Sequence, residues 1–89
     1  MAEKRERFEV IKDILLVVQK HQKIGPTRLI QLSNLSPVMF KEYIKELTKN
    51  NLINEEVQKN KKTYELTDKG YNYLEKYKMF KNFVEELGL

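Results

Sequence analysis

Eighty-nine residues, 40% of them hydrophobic and 34% charged, describe one soluble globular domain with a modest core. The chain has no cysteine, which excludes disulfides, thiolate zinc sites and thiol catalysis. The net charge of +4 is localised: residues 20–69 carry ten basic and six acidic side chains, while the segments on either side each cancel. No apolar run approaches a membrane span or a signal-peptide core, so a cytoplasmic, nucleoid-associated protein is expected.

A first helix is expected over about residues 3–21. Phe8, Ile11, Leu15 and Val18 make one apolar stripe at helical spacing, and Val10, Ile14 and Val17 make a second on another face. Two apolar faces require two partners: the helix's own domain, and either the C-terminal helix or another subunit. Gly25-Pro26 then breaks the chain, and Pro26 suits the first position of a second helix, Pro26–Ser33. In it Leu29, Ile30 and Leu32 supply the apolar positions, while Thr27, Arg28 and Gln31 point outward. Asn34-Leu35 is the turn that follows.

Ser36-Pro37 opens a third helix that runs to about residue 50. The Ser36 hydroxyl can accept from first-turn amides, and Pro37 loses no needed donor. Phe40, Tyr43, Ile44 and Leu47 share the inner face; Val38, Glu42, Lys45 and Lys49 fall opposite, with Lys41 on the flank. Asn50-Asn51 closes the helix, because Asn tolerates left-handed geometry. Residues 52–57 and 63–66 read as short strands around a polar tip, Gln58-Lys59-Asn60-Lys61-Lys62, with three positive charges and no acid. Thr67 is placed to cap a last helix, with Asp68 against its dipole. Tyr73, Tyr77, Phe80, Val84 and Leu87 recur at alternating spacings of four and three, and Gly70 and Leu66 continue the register backwards. That is a coiled-coil seam. Widened by Leu74 and Phe83, it would expose a large apolar patch unless a second copy covers it.

Two helices joined by a tight turn and followed by a basic hairpin form a DNA-reading shape. The expected fold is mainly α with a two-stranded β-wing (α+β): a winged helix-turn-helix over residues 1–66 and a C-terminal dimerisation helix over residues 67–89. The third helix would enter a major groove, where Lys41, Lys45 and Lys49 reach phosphates or guanine acceptors and Val38 a thymine methyl, with Ser36 and Glu42 on the same surface. Pairing along the helix, of Glu42 with Lys45 or of Glu46 with Lys49 or Asn50, is the plainer reading of the acids. Thr27, Arg28 and Gln31 would meet backbone phosphates. Lys59, Asn60, Lys61 and Lys62 would lie on phosphates or in a minor groove. The outward face of the third helix has no Arg, Asn or Gln before Asn50, which provides poorly for bidentate base reading and points to weak sequence preference. A solvated lysine surface and an edge strand blunted by lysine are the alternatives.

With Ser36 capping a helix that buries Phe40, Tyr43, Ile44 and Leu47, then Asn51-Leu52-Ile53, then Tyr64-Glu65-Leu66-Thr67-Asp68-Lys69-Gly70, the chain resembles a small archaeal winged-helix family. Its best-known members are the chromatin-associated DNA-binding proteins of Sulfolobus. The resemblance spans nearly the whole chain, although Leu66-Thr67-x-Lys69-Gly70 is shared by many winged-helix regulators. It implies C-terminal helices paired as an antiparallel coiled coil through Tyr73, Tyr77, Phe80, Val84 and Leu87, giving a homodimer with two outward DNA-binding heads. A compact dimer that also uses the second face of the first helix, as in multiple-drug-resistance-type regulators, stays open.

A dimeric double-stranded DNA-binding protein, either a transcriptional regulator or a chromatin-type architectural protein, is therefore expected. A winged-helix docking module without DNA binding is the alternative. Catalysis is not expected: His21 is the sole histidine and has no partners near it in sequence, and Gly25, Gly70 and Gly88 are too isolated to form a phosphate loop. No cofactor or metal is expected. Tyr43, Tyr64 and Tyr71 are read as core packing in preference to an inducer crevice.

Overall fold

Local capping chemistry sets most of the element boundaries. In the computed structural model, which describes residues 5–89, the order is α1 (Arg7–His21), α2 (Pro26–Ser33), α3 (Pro37–Lys49), β1 (Ile53–Gln58), β2 (Lys61–Leu66) and α4 (Asp68–Glu86). α1 begins later than expected. Glu3 and Lys4 lie outside the described residues, and Arg5 and Glu6 are not helical. The Glu6 N–H donates to Glu9 Oε1 at 3.3 Å, which satisfies an amide at the helix start. Pro26 and Pro37 each occupy a first helical position, and Ser36 Oγ accepts from Met39 N at 3.2 Å. Asn34 and Asn51, at φ 56° and 63°, take the left-handed conformation that turns the chain out of α2 and α3. Thr67 Oγ1 accepts from Gly70 N at 3.1 Å and donates to the Asn51 carbonyl, tying the start of α4 to the end of α3.

α1 is the central column of the core. Val10 and Ile14 of one stripe and Ile11, Leu15 and Val18 of the other are buried with Leu29, Phe40, Ile44, Leu47, Ile53 and Tyr64. α2, β2 and α4 pack around it, so both apolar faces find partners within the chain. Phe8 stays half-exposed and leans on the Tyr77 ring, with centroids 6.2 Å apart. α2 departs from the expected pattern: Leu32 is exposed and Ser33 is buried. Leu29 and Ser33, four residues apart, share the helical arc that is buried in this two-turn helix, and Leu32 falls outside it. The Arg5 guanidinium closes this corner, pairing with Asp13 at 2.8 Å and donating to the carbonyls of Ser33 and Asn34, both at 3.2 Å.

β1 and β2 pair antiparallel from Ile53 opposite Leu66 to Gln58 opposite Lys61. β1 keeps its expected length but starts one residue later, β2 is longer and the tip is tighter than expected, because Gln58, Lys61 and Lys62 all belong to the ladder. The turn is Lys59-Asn60 alone, with φ 50° and 65°, the pair of positive angles that a two-residue type I′ hairpin needs. Lys is costly at such an angle. Lys59→Asn combined with Asn60→Gly is expected to raise stability by about 1 kcal/mol, read as a higher urea midpoint at unchanged slope. A third rung joins the sheet at Ile24, whose N–H donates to the Tyr64 carbonyl at 3.1 Å and whose carbonyl accepts from Tyr64 N at 2.8 Å.

α4 has 19 residues, about 28 Å of helix. Its first half lies on the domain. Gly70 is buried, the Tyr73 hydroxyl donates to the Phe8 carbonyl at 2.9 Å, and the Lys12 ammonium sits 5.4 Å from the Tyr77 ring centroid. Its second half has few such contacts, leaving Phe80 and Leu87 60% and 57% exposed, in a chain that measures 50 × 34 × 21 Å.

Candidate nucleic-acid interface

α3 sorts its charges by side. Phe40, Ile44 and Leu47 anchor it to the core, and Tyr43 is half-buried under the Arg7 guanidinium. Ser36, Val38, Lys41, Glu42, Lys45 and Lys49 are all exposed, Val38 most of all at 70%. Lys41, Lys45 and Thr48 border a trough between α3 and the wing, whose apolar wall comes from Ile30, Phe40, Ile44 and Tyr64. Its volume is about 490 Å³. Glu42 and Glu46 line a separate depression with Arg7, Met39 and Tyr43. The pairing expected along α3 is absent among the described residues. Glu46 pairs with Arg7 of α1, and the Asn50 amide donates to the Glu46 backbone carbonyl at 2.9 Å. Tertiary packing brings Arg7 to Glu46, and Lys41, Lys45 and Lys49 keep no carboxylate partner among the described residues. Positive charge is thus presented on the wing side of the helix, and negative charge on the α1 side.

The wing's lysines divide between two faces. Glu55, Val57, Lys62 and Tyr64 share one side of the ribbon, since Glu55 lies opposite Tyr64 and Val57 opposite Lys62; Glu56, Gln58, Lys61 and Thr63 share the other. Lys62 therefore joins Lys41 and Lys45 at the trough, where its ammonium donates to Glu55 Oε1 at 3.0 Å. That hydrogen bond raises the Lys62 pKa above its ordinary value. Burial, followed by the Glu55 charge, raises that of the Tyr64 hydroxyl. Lys61 lies with Lys59 and Lys23 on the outer face, where Lys23 approaches Glu56 at 3.8 Å. Asn60 is exposed at the turn. In α2, Thr27, Arg28 and Gln31 are exposed as well.

Sequence reasoning missed Lys23, which the Ile24 rung carries alongside the wing, and Glu55, which enters the trough from β1. Nothing local marks Ile24 as a sheet residue. The division of Lys61 from Lys62 follows from strand alternation and was hidden by placing both residues in the tip. The α4 seam is divided too. Tyr73 and Tyr77 are half-buried against Phe8 and Lys12 of the same chain, whereas Phe80, Phe83 and Leu87 are exposed and Val84 is half-exposed.

A sequence model described as winged helix-turn-helix matches residues 4–85. The chain belongs to the winged helix-turn-helix family. Among solved structures it is similar to Sso10a-2, a DNA-binding protein from Sulfolobus solfataricus, with a TM-score of 0.79 and 29% identity over 93% of this chain and 85% of that one. The resemblance to Sulfolobus proteins is thereby borne out. F93 from STIV, a winged-helix DNA-binding protein, matches at TM-score 0.69 and 21% identity, over 86% of this chain and 90% of its own. MepR, a transcription regulator of the Staphylococcus aureus multidrug efflux pump MepA, matches at TM-score 0.75 and 14% identity, over 88% of this chain and 60% of its own. The last two share the fold. No curated protein sequence matches. Among the described residues, no helix is long and apolar enough to cross a membrane.

Proposed function

We propose that this winged helix-turn-helix protein is a dimeric double-stranded DNA-binding protein, acting as a transcriptional regulator or a chromatin-type architectural protein. The observation that carries the reading is the sorting of charge across α3: Lys41 and Lys45 face the wing beside Lys62, while Glu42 and Glu46 face away. A major groove that admits α3 would meet lysine on the wing side, and the phosphates beside it would meet Lys59 and Lys61. Thr27, Arg28 and Gln31 would touch the backbone from α2. Lys59 sits at an angle that Asn or Gly would take at lower cost, and such a local violation is expected where function selects the side chain. The outward arc offers ammonium groups and no guanidinium, which favours phosphate contact over base reading and hence an architectural role.

Titrating the isotope-labelled protein with a random duplex tests this reading residue by residue. Amide shifts should move along α3 and at the wing tip, with α4 unaffected. Shifts confined to α4 would contradict it.

For the dimer, the support is the continuing three–four spacing beyond Tyr77, where the rest of the chain no longer covers it. Phe80, Phe83 and Leu87 are large and exposed together on the outer half of α4 and at its C-cap, an apolar patch that calls for a cover. A second copy of α4 would cover them and set two DNA-binding heads apart; a spacing of about 34 Å would place them in successive major grooves. Sedimentation should give twice the chain mass of 10.7 kDa, and Phe80→Glu with Leu87→Glu should return it to a single chain. A native chain that sediments as a monomer at micromolar concentration would overturn the dimer.

A further inference from the structure

Among the described residues, Glu55 is the one acidic side chain in the trough between α3 and the wing, beside Lys41, Lys45 and Lys62. Its carboxylate holds the Lys62 ammonium at 3.0 Å, and strand alternation puts both residues on the ribbon face that looks toward α3. Lys41 and Lys45 have no carboxylate partner among the described residues, so Lys62 alone of the three is already neutralised. We infer that Glu55 is an internal competitor for the DNA phosphate: it occupies the anion position of the trough and holds Lys62 back from the duplex, setting a weak, rapidly reversible affinity. The inference rests on the DNA-binding reading above and adds to it the residue that tunes the interaction.

The chemistry is an exchange of one anion for another. A phosphate oxygen entering between α3 and the wing must displace the Glu55 carboxylate from Lys62, and it meets that negative charge at close range. The exposed pair contributes little to folding, so its retention costs affinity without a matching gain in stability. Removing the charge while keeping the shape frees one ammonium for phosphate, and hence one more released counterion.

Glu55→Gln is therefore expected to tighten binding to a random duplex roughly tenfold at about 50 mM salt, and to steepen the log Kd against log salt slope by about one. Glu55→Gln with Lys62→Gln should return both quantities to near the native values, because the gain passes through Lys62. Glu65→Gln is the control: it makes the same charge change on the opposite face of the ribbon, and should alter affinity less than twofold. The melting temperature of each variant should stay within a few degrees of the native one. An unchanged affinity for Glu55→Gln, or an equal gain for Glu65→Gln, would overturn the inference while leaving DNA binding standing. Binding by Glu55→Gln where the native chain shows none would support it. No binding by either protein would overturn it together with the DNA reading.

Discussion

Replacing Lys41, Lys45 and Lys49 together by alanine is expected to weaken binding to a random duplex by roughly hundredfold or more at about 50 mM salt, and to flatten the salt slope by two to three. Each lysine that meets a phosphate releases about one counterion, and the three together hold the positive charge of the α3 surface. The fold should be indifferent to the change. All three side chains are exposed, none has a carboxylate partner among the described residues, and alanine is the better helix former at each position. Loss of affinity with an unchanged melting temperature would locate the effect in the interface. Lys41→Ala and Lys45→Ala should account for more of the loss than Lys49→Ala, since only the first two border the trough. Equal affinity of the triple variant and the native chain would remove α3 from the interface.

Gly70→Ala should cost about 3 kcal/mol of stability, a fall in melting temperature of roughly 15 °C for a domain of this size. Alanine is favoured over glycine inside a helix by about 1 kcal/mol, so the cost must arise from packing. A Cβ at position 70 would overlap the Leu52 carbonyl oxygen and lie 2.9 Å from Leu66 Cδ2. The carbonyl has little freedom to retreat, because it accepts from Thr67 N at 3.3 Å at the joint where α4 leaves the wing. Either that bond breaks or α4 lifts from the body, taking Tyr73 and its bond to the Phe8 carbonyl with it. Calorimetry with urea denaturation reads the loss. A variant as stable as the native chain would mean that α4 does not seat this closely.

The same region shows what was legible in the amino-acid sequence. The caps at Ser36 and Thr67, the prolines that open α2 and α3, and the Asn residues that end them act within one turn of chain. Their effects therefore follow from residue type and spacing, and the helix boundaries fell close to where they were expected. What a residue meets across the fold is a different matter. Leu32 and Ser33 are neighbours in an eight-residue helix, and hydrophobicity favoured the wrong one for burial because only the tertiary arrangement selects the contacting arc. Glu46 finds Arg7, and Lys62 finds Glu55, in preference to partners on their own elements or none. The three–four spacing of α4 identified an apolar seam, yet spacing carries no information on whether the covering surface is α1 or a second copy. Tyr73 and Tyr77 use the former, whereas Phe80, Phe83 and Leu87 stay exposed.

Whether this chain binds duplex DNA through its lysines is read by fluorescence anisotropy of the native chain against a random duplex of about 30 base pairs, titrated from about 20 to 300 mM salt. Micromolar binding is expected at the lower salts, with a log Kd against log salt slope of about three or steeper from the lysines of α3 and the wing. Absence of binding at the lowest salt, or an affinity indifferent to salt, would contradict it.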